Sequence, residues 1–140
     1  MGRDEHRAGI AVSLWVWAGV AVLGGAGALA RHVVDHAVMN RVVERSPGGR
    51  WEAFPWGILL VNVSGAGLLG LLAGAGPSAT ATLLIGVGLL GSYTTFSTWM
   101  VQTATLAGRR RVAAAAVNVL LSLALGLAAA ALGAWLGARL

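Results

Sequence analysis

Residues 91–99 read Gly-Ser-Tyr-Thr-Thr-Phe-Ser-Thr-Trp, a run of hydroxyls and aromatic rings inside an otherwise apolar stretch of the chain. The hydrocarbon core of a bilayer penalises such a composition. Polar side chains and non-helical backbone persist at membrane depth only where other protein or a water-filled cavity satisfies them. The run therefore predicts a pathway or a binding site within a membrane-spanning segment.

The composition around this run is that of an integral membrane protein. The chain has 140 residues, of which 57% are hydrophobic and 11% charged, with a mean hydropathy of +0.77. Four apolar stretches reach the ~20 residues needed to cross a bilayer; they are residues 10–30, 56–75, 79–107 and 112–136. The sequence predicts an all-α integral membrane protein, a single domain over residues 1–140 with four transmembrane helices in the lipid bilayer.

The third apolar stretch is longer than a span requires, and the polar run falls near its middle. This extra length, together with Gly91, predicts a helix that is broken at that glycine. A broken helix leaves backbone carbonyls and amides unpaired at depth, which is how several membrane transport proteins build ion sites.

The connection between the first and second stretches is polar and basic over residues 33–52, with a Ser-Pro-Gly-Gly turn signal at 46–49. It predicts a short interfacial helix followed by a loop.

Arginines supply all ten basic side chains and give the chain a formal charge of +5. They sit in short connections and do not follow one helical face, which argues against a nucleic-acid partner. Seven of them fall at one end of the predicted bundle: 31, 41, 45, 50, 109, 110 and 111. Three fall at the other end: 3, 7 and 139. Under the positive-inside rule this bias predicts one preferred orientation with both termini outside.

Polar residues within the predicted spans are all uncharged. They include Asn62, Thr94, Thr95, Ser97, Thr98, Asn118 and Ser122. Asn118 and Ser122 are four residues apart and so share one face of the fourth helix. Neutral donors suit a small ion that is partly stripped of water yet not trapped. Hydroxyl and amide hydrogens and the ring edge of Phe96 suit an anion, whereas carbonyls at a Gly91 break suit a cation, so composition leaves the sign open.

Three motifs give the chain a specific resemblance. Residues 24–31 read Gly-Gly-Ala-Gly-Ala-Leu-Ala-Arg, residues 57–65 read Gly-Ile-Leu-Leu-Val-Asn-Val-Ser-Gly, and residues 91–99 form the polar run. In this order, on three of the four spans, they resemble the first-, second- and third-helix motifs of the Fluc/CrcB family of fluoride channels.

The resemblance implies an antiparallel dimer of four-helix subunits with two narrow fluoride pores. It implies passive export of fluoride from the cytoplasm across a bacterial inner (plasma) membrane. A structural or activating sodium ion (Na+) would lie at the dimer centre, held by the backbone carbonyls of Gly91 and Thr94.

The resemblance also implies roles along the pore. Asn62 would donate its amide to fluoride, Phe96 would line the pore, and the hydroxyls of Ser97 and Thr98 would lie beside it. Arg31 would sit at the aqueous end of the first helix and help to shape the vestibule.

Two positions depart from the family pattern. Trp99 stands where a second phenylalanine is usual, and Asn118 stands where the fourth helix often carries tyrosine. An indole at position 99 either lines the pore, where it would narrow or block one pathway, or packs in the ordinary way. With the biased arginines, these departures leave two assemblies open, a homodimer and a heterodimer with a second family subunit.

Two other functions compete with a channel. One is a half-channel or non-conducting subunit that needs a different partner. The other is a small four-span transporter of another substrate, which an intramembrane carboxylate would favour. The sequence holds no nucleotide-binding loop and no catalytic constellation, so it does not predict an enzyme.

Overall fold

The computed structural model describes residues 13–45, 47–49 and 53–140, and all of its regular elements are helices. Helix α1 is Leu14–Arg45, α2 is Trp56–Gly74, α4 is Phe96–Gly108 and α5 is Val112–Gly137. Residues 79–93, here α3, comprise Ala79–Ala81, a π-helix at Thr82–Leu90 and the turn Gly91–Tyr93. Together α3 and α4 form the third span.

Four spans are confirmed within the described residues. By length and composition, the helices able to cross a membrane are Leu14–Arg45, Trp56–Gly74, Ala79–Gly108 and Val112–Gly137. The chain is thus an all-helical, multi-pass membrane protein. The predicted boundaries of the last three spans agree with these helices to within two residues, while residues 10–12 of the first lie outside the described part of the chain.

The prediction of a short separate helix after the first span is wrong. Helix α1 continues without interruption to Arg45. Residues 31–45 contain neither glycine nor proline, so nothing in the backbone ends the helix there, although its polarity rises. The predicted turn appears further on, where Gly48 has a φ of +71°. Residues 46 and 50–52 of the predicted loop lie outside the described residues.

Helices α2 and α5 pack with their backbones in contact. Gly70 faces the carbonyl of Ala130, and Gly133 faces the carbonyl of Gly67, so a side chain at either glycine would collide with backbone. Two further glycines, one on each helix, make the same kind of contact: Gly74 and Gly137. Close packing by small residues of this kind drives helix association in a bilayer, where apolar burial gives no advantage.

Helices α1 and α3 form the second close pair. Gly27 lies against the backbone of Leu89, and Gly88 lies against that of Val20. The contact places α1 beside the end of α3 and therefore beside the middle of the third span.

The start of α3 follows a tight turn. Gly76 has a φ of +61°, and the side chain of Ser78 accepts a hydrogen bond from the N–H of Ala81 at 3.2 Å. The π-helix then runs until the N–H of Gly91 donates to the carbonyl of Gly86, five residues back. Such wide turns occur mostly as local features of helices, often at functional sites.

We expect the variant Gly133→Ala to lower stability, because its Cβ would meet the carbonyl of Gly67 on the facing helix. Overpacking of this kind costs about 1–3 kcal/mol. Gly126→Ala is the matched control on α5, since a Cβ there has nothing within 4 Å. Thermal unfolding in detergent, followed by circular dichroism, should show a lower midpoint for Gly133→Ala alone. Equal midpoints for the two variants would contradict this account of the α2–α5 contact.

Candidate functional site

The third span is broken at Thr94 and Thr95. Thr94 has a ψ of 158°, and Thr95 has a φ of −150° and a ψ of 126°, so both are extended between two helices. The predicted break is confirmed, but its predicted position at Gly91 is wrong. Gly91 is helical, with φ −63° and ψ −34°. The break falls instead at two β-branched residues, which favour extended backbone.

The side chain of Thr95 caps the helix that follows the break. Its Oγ1 accepts from the N–H of Thr98 at 3.3 Å and donates to the hydroxyl of Thr98 at 3.1 Å. The hydroxyl of Ser97 lies 3.3 Å from the same Oγ1. An N-cap of this kind satisfies one of the N–H groups left free at a helix start. Ser97 and Thr98 therefore belong to a hydroxyl cluster at the first turn of α4.

Asn62 on α2 holds the backbone of Thr95 by two hydrogen bonds. Its Oδ1 accepts from the N–H of Thr95 at 2.9 Å, and its Nδ2 donates to the carbonyl of Thr95 at 3.0 Å. The side-chain amide thus pairs with both groups of one residue, as a neighbouring strand would. At membrane depth, where water is absent, this pairing removes the main cost of an extended residue.

Two further side chains hold the residues just before Thr95. The hydroxyls of Ser64 and Tyr93 are 3.0 Å apart, and Nη1 of Arg31 donates to the carbonyl of Thr94 at 3.5 Å. Arg31 lies within α1 and not at its end, because α1 is longer than predicted. Each of three consecutive residues, 93 to 95, is therefore held by a side chain from α1 or α2.

The break removes the helical partners of two backbone carbonyls. In a continuous helix the carbonyls of Gly91 and Thr94 would accept from the N–H groups four residues later, those of Thr95 and Thr98. Here the N–H of Thr95 donates to Asn62, and that of Thr98 donates to the hydroxyl of Thr95. Both carbonyls predicted to bind a cation have thus lost their helical partners.

An open groove of about 400 Å³ lies beside the break. Its walls are formed by Asn62, Ala66, Leu69, Gly91, Thr94, Thr95, Phe96 and Trp99. The structure therefore brings five of the predicted site residues to one surface. The rings of Phe96 and Trp99 meet edge to face, with centroids 5.5 Å apart and planes at 76°. Phe96 is 70% exposed on the single chain, whereas Trp99 is 9% exposed.

Asn118 does not open onto this groove. It is fully buried between α4 and α5, where its Nδ2 donates to the hydroxyl of Thr103 at 2.7 Å. Nε1 of Trp99 donates to the backbone carbonyl of Asn118 at 3.4 Å. The Oδ1 of Asn118 and the Oγ of Ser122 are buried atoms without a hydrogen-bond partner in the described residues. Asn118 is thus enclosed on the single chain, whereas Ser122 is partly exposed and only its hydroxyl oxygen is buried.

Sequence reasoning missed three residues of this region: Ser64, Tyr93 and Thr103. Thr103 lies four residues after Trp99 and therefore beside it on one helix face, which is a readable signal. The pairing of Ser64 with Tyr93 joins two spans, and sequence spacing carries no signal for it.

The fold and the site define a small multi-pass helical membrane protein whose third span is broken at an uncharged polar groove. A family model described as CrcB-like protein, Camphor Resistance (CrcB), matches residues 18–134. A Mycobacterium tuberculosis (strain H37Rv) protein named Fluoride-specific ion channel FluC 2 is 43% identical over 129 residues, covering 92% of this chain and 96% of that protein. A Symbiobacterium thermophilum protein named Fluoride-specific ion channel FluC 1 is 44% identical over 128 residues, covering 88% and 96%. The chain belongs to the CrcB family.

We expect Asn62→Ala to destabilise the break, because it removes the partners of both backbone groups of Thr95. Each unsatisfied buried group costs about 1–3 kcal/mol. The thermal midpoint should fall, and the Thr95 amide should exchange its hydrogen faster by NMR. Asn40→Ala, at an exposed position on α1, is the control and should change neither quantity.

The variant Asn62→Asp distinguishes the contributions of the two hydrogen bonds between Asn62 and the backbone of Thr95. Its carboxylate keeps an acceptor for the N–H of Thr95 but has no donor for the carbonyl of Thr95. Amide protection should therefore survive better than in Asn62→Ala. Unchanged protection in Asn62→Ala would contradict the holding role of Asn62.

Proposed function

We propose that this chain forms a fluoride-selective channel through which fluoride leaves the cytoplasm by passive flow. The observation that carries the proposal is the broken third span, which presents uncharged polar groups at membrane depth. Membership of the CrcB family and the names of its relatives supply the identity of the ion. Passive flow involves no covalent step, so the proposal is of a channel and not of an enzyme.

The groove contains hydrogen-bond donors for a small anion but no positive charge that would bind the anion tightly. None of its lining residues carries a charge. The amide of Asn62 has a second N–H beyond the one given to Thr95, and the exposed ring of Phe96 presents positive edges. The hydroxyls of Ser97 and Thr98 lie at the adjacent helix start. Neutral donors can replace part of a hydration shell while leaving the ion free to move on.

We propose further that a sodium ion binds the carbonyls of Gly91 and Thr94, the second of which also accepts the 3.5 Å hydrogen bond from Arg31. Carbonyl oxygens are ligands of hard cations, and these two have lost their helical N–H partners at the break. A bound sodium ion would supply positive charge and join two copies of the break. Two carbonyls from one chain do not complete a coordination shell, which is consistent with a site shared between two subunits.

A second subunit is also needed to cover the groove. Phe96, Ser97 and Gly91 are exposed on the single chain at the level of the break, where polar groups facing lipid are unfavourable. We propose an antiparallel dimer in the bacterial inner membrane, with the groove of each chain facing its partner. The partner is a second copy or a second family subunit.

Two rival functions differ from this one in what they predict. A non-conducting or half-channel subunit would pack against another chain and conduct nothing alone. A four-span transporter of another substrate would move that substrate in place of fluoride. Neither rival explains why an exposed aromatic ring lies beside uncharged donors at the break.

The direct test is fluoride efflux from liposomes that contain the purified chain, with chloride efflux measured in the same vesicles. We expect fluoride-selective release. Phe96→Ala should slow it by roughly tenfold, the effect of losing about 1–1.5 kcal/mol of ring interaction. Val101→Ala is the matched control, because Val101 is 66% exposed on the same helix.

Folding of Phe96→Ala is expected to be normal, since an exposed ring contributes little to the packed interior of the chain. Silence of the folded wild-type protein would reject a homodimeric channel and favour the half-channel. Equal fluoride and chloride release would reject fluoride selectivity.

The arginine distribution makes a separate prediction about the partner. Arg31 bonds to Thr94 within the bundle and so is not a loop charge. Sequence position alone still assigns six of the other arginines to one end of the bundle and three to the other. We therefore expect one orientation, with both termini outside. The test uses two reporters fused after Leu140. A phosphatase that is active only outside the cytoplasm should be active there, and a fluorescent protein that matures only in the cytoplasm should not fluoresce.

A single orientation would make an antiparallel partner a different polypeptide, and fluoride flux would then depend on its co-expression. Strong signals from both reporters would instead establish dual topology and a homodimer.

A further inference from the structure

Helices α4 and α5 are joined by a closed ring of three hydrogen bonds. The hydroxyl of Thr103 donates to the carbonyl of Trp99 at 2.8 Å and accepts from Nδ2 of Asn118 at 2.7 Å. Nε1 of Trp99 completes the ring by donating to the carbonyl of Asn118 at 3.4 Å. Trp99 is therefore held at its indole nitrogen by α5 and at its backbone carbonyl by Thr103 of its own helix.

The ring also determines the orientation of the amide. The hydroxyl of Thr103 has one hydrogen, which is given to the carbonyl of Trp99, so Thr103 can only accept from Asn118. The nitrogen of the Asn118 amide must then face Thr103, and its oxygen must point elsewhere. That oxygen is buried without a partner in the described part of the chain.

The unpaired oxygen of Asn118 makes the contact between α4 and α5 less stable than a fully paired one would be. Stability alone therefore does not account for an asparagine at this position. Its other effect is on Trp99, which is 9% exposed and lines the groove at the edge of Phe96. Phe96 itself is largely exposed on the single chain, and the edge-to-face contact with Trp99 is the ring contact that orients it.

We propose that Thr103 and Asn118 are positioning residues that fix the indole of Trp99, and through it the ring of Phe96, for fluoride passage. The inference rests on the proposed function and deepens it. Thr103 lies outside the groove and Asn118 is enclosed, so neither contacts the ion on the single chain. The two act by holding an aromatic wall in one place.

The first test compares two threonines of α4. Thr103→Val removes the hydroxyl that joins Asn118 to Trp99. Thr105→Val is the control, since Thr105 Oγ1 donates only to the carbonyl of Val101 at 2.8 Å and the residue is exposed. Thr103→Val loses both the bond to the carbonyl of Trp99 and the bond from Asn118. We expect fluoride efflux to be roughly tenfold slower in this variant, mainly because the link from Asn118 is lost, and unchanged in Thr105→Val.

Thr103→Ser should restore flux, because it keeps the hydroxyl. Flux of Thr103→Val equal to wild type would overturn the proposal, as would an equal loss in Thr103→Ser.

A double-mutant cycle shows whether Thr103 acts through Trp99. Trp99→Phe keeps an aromatic ring and removes the indole N–H. In that background Thr103→Val should have no further effect on flux, which is the signature of coupled residues. Additive losses would overturn the proposal, because they would give Thr103 an effect independent of Trp99.

A readout without ion flux separates this inference from the proposed function. In protein labelled with ¹⁵N-tryptophan, the indole resonance of Trp99 is identified by its loss in Trp99→Phe. Its hydrogen exchange should be slow in wild type, faster in Thr103→Val and slow in Thr105→Val. Absence of fluoride flux in the purified wild-type chain would reject a homodimeric channel, and the exchange rates would still decide whether Thr103 holds the indole. Equal exchange in all three proteins would overturn the positioning role.

Discussion

The pairing of the Asn62 amide with the backbone of Thr95 is the interaction on which the site depends. A span that is interrupted in hydrocarbon must satisfy every backbone group that the interruption releases, because no water is present to do so. Asn62 satisfies the N–H and the carbonyl of Thr95 together. With that residue paired, the chain can leave one helix and enter the next at full membrane depth.

Such a pairing requires α2 to be held firmly against its neighbours. The glycine contacts between α2 and α5 bring two backbones together, and the contact of Gly27 with Leu89 does the same for α1 and α3. Contacts made by backbone leave less freedom than contacts between flexible side chains. Asn62 and Arg31 are thus presented to the break from two closely packed helices, one on each side of the third span.

The sequence predicted the fold class because hydropathy over a span length reports directly on membrane crossing. It predicted the broken helix because hydroxyl groups at membrane depth are unfavourable unless protein or a water-filled cavity satisfies them. It misplaced the break because glycine is the residue most often linked to irregular backbone, whereas here Thr95 supplies its own cap and takes the extended conformation. It ended the first span near residue 30 because the charged and polar residues that follow are typical of a membrane interface. The helix nevertheless continues to Arg45, since residues 31–45 contain neither glycine nor proline. The pairing of α2 with α5 and the bond from Asn118 to Thr103 join distant residues, and local patterns do not encode them.

A single break would account for the two proposed sites of opposite sign. Where α3 ends, the carbonyls of Gly91 and Thr94 lose their helical partners, and the negative end of the helix lies beside them. Where α4 begins, its first N–H groups lie at the positive end of a 13-residue helix, beside the ring of Phe96 and the hydroxyls of Ser97 and Thr98. A cation and an anion would therefore find suitable groups within a few residues of each other. None of the residues that line the groove is charged, and the charged side chain that contacts one of them is Arg31, through the carbonyl of Thr94. An ion in the proposed pathway would therefore be held mainly by dipoles, and weak binding of this kind favours rapid passage.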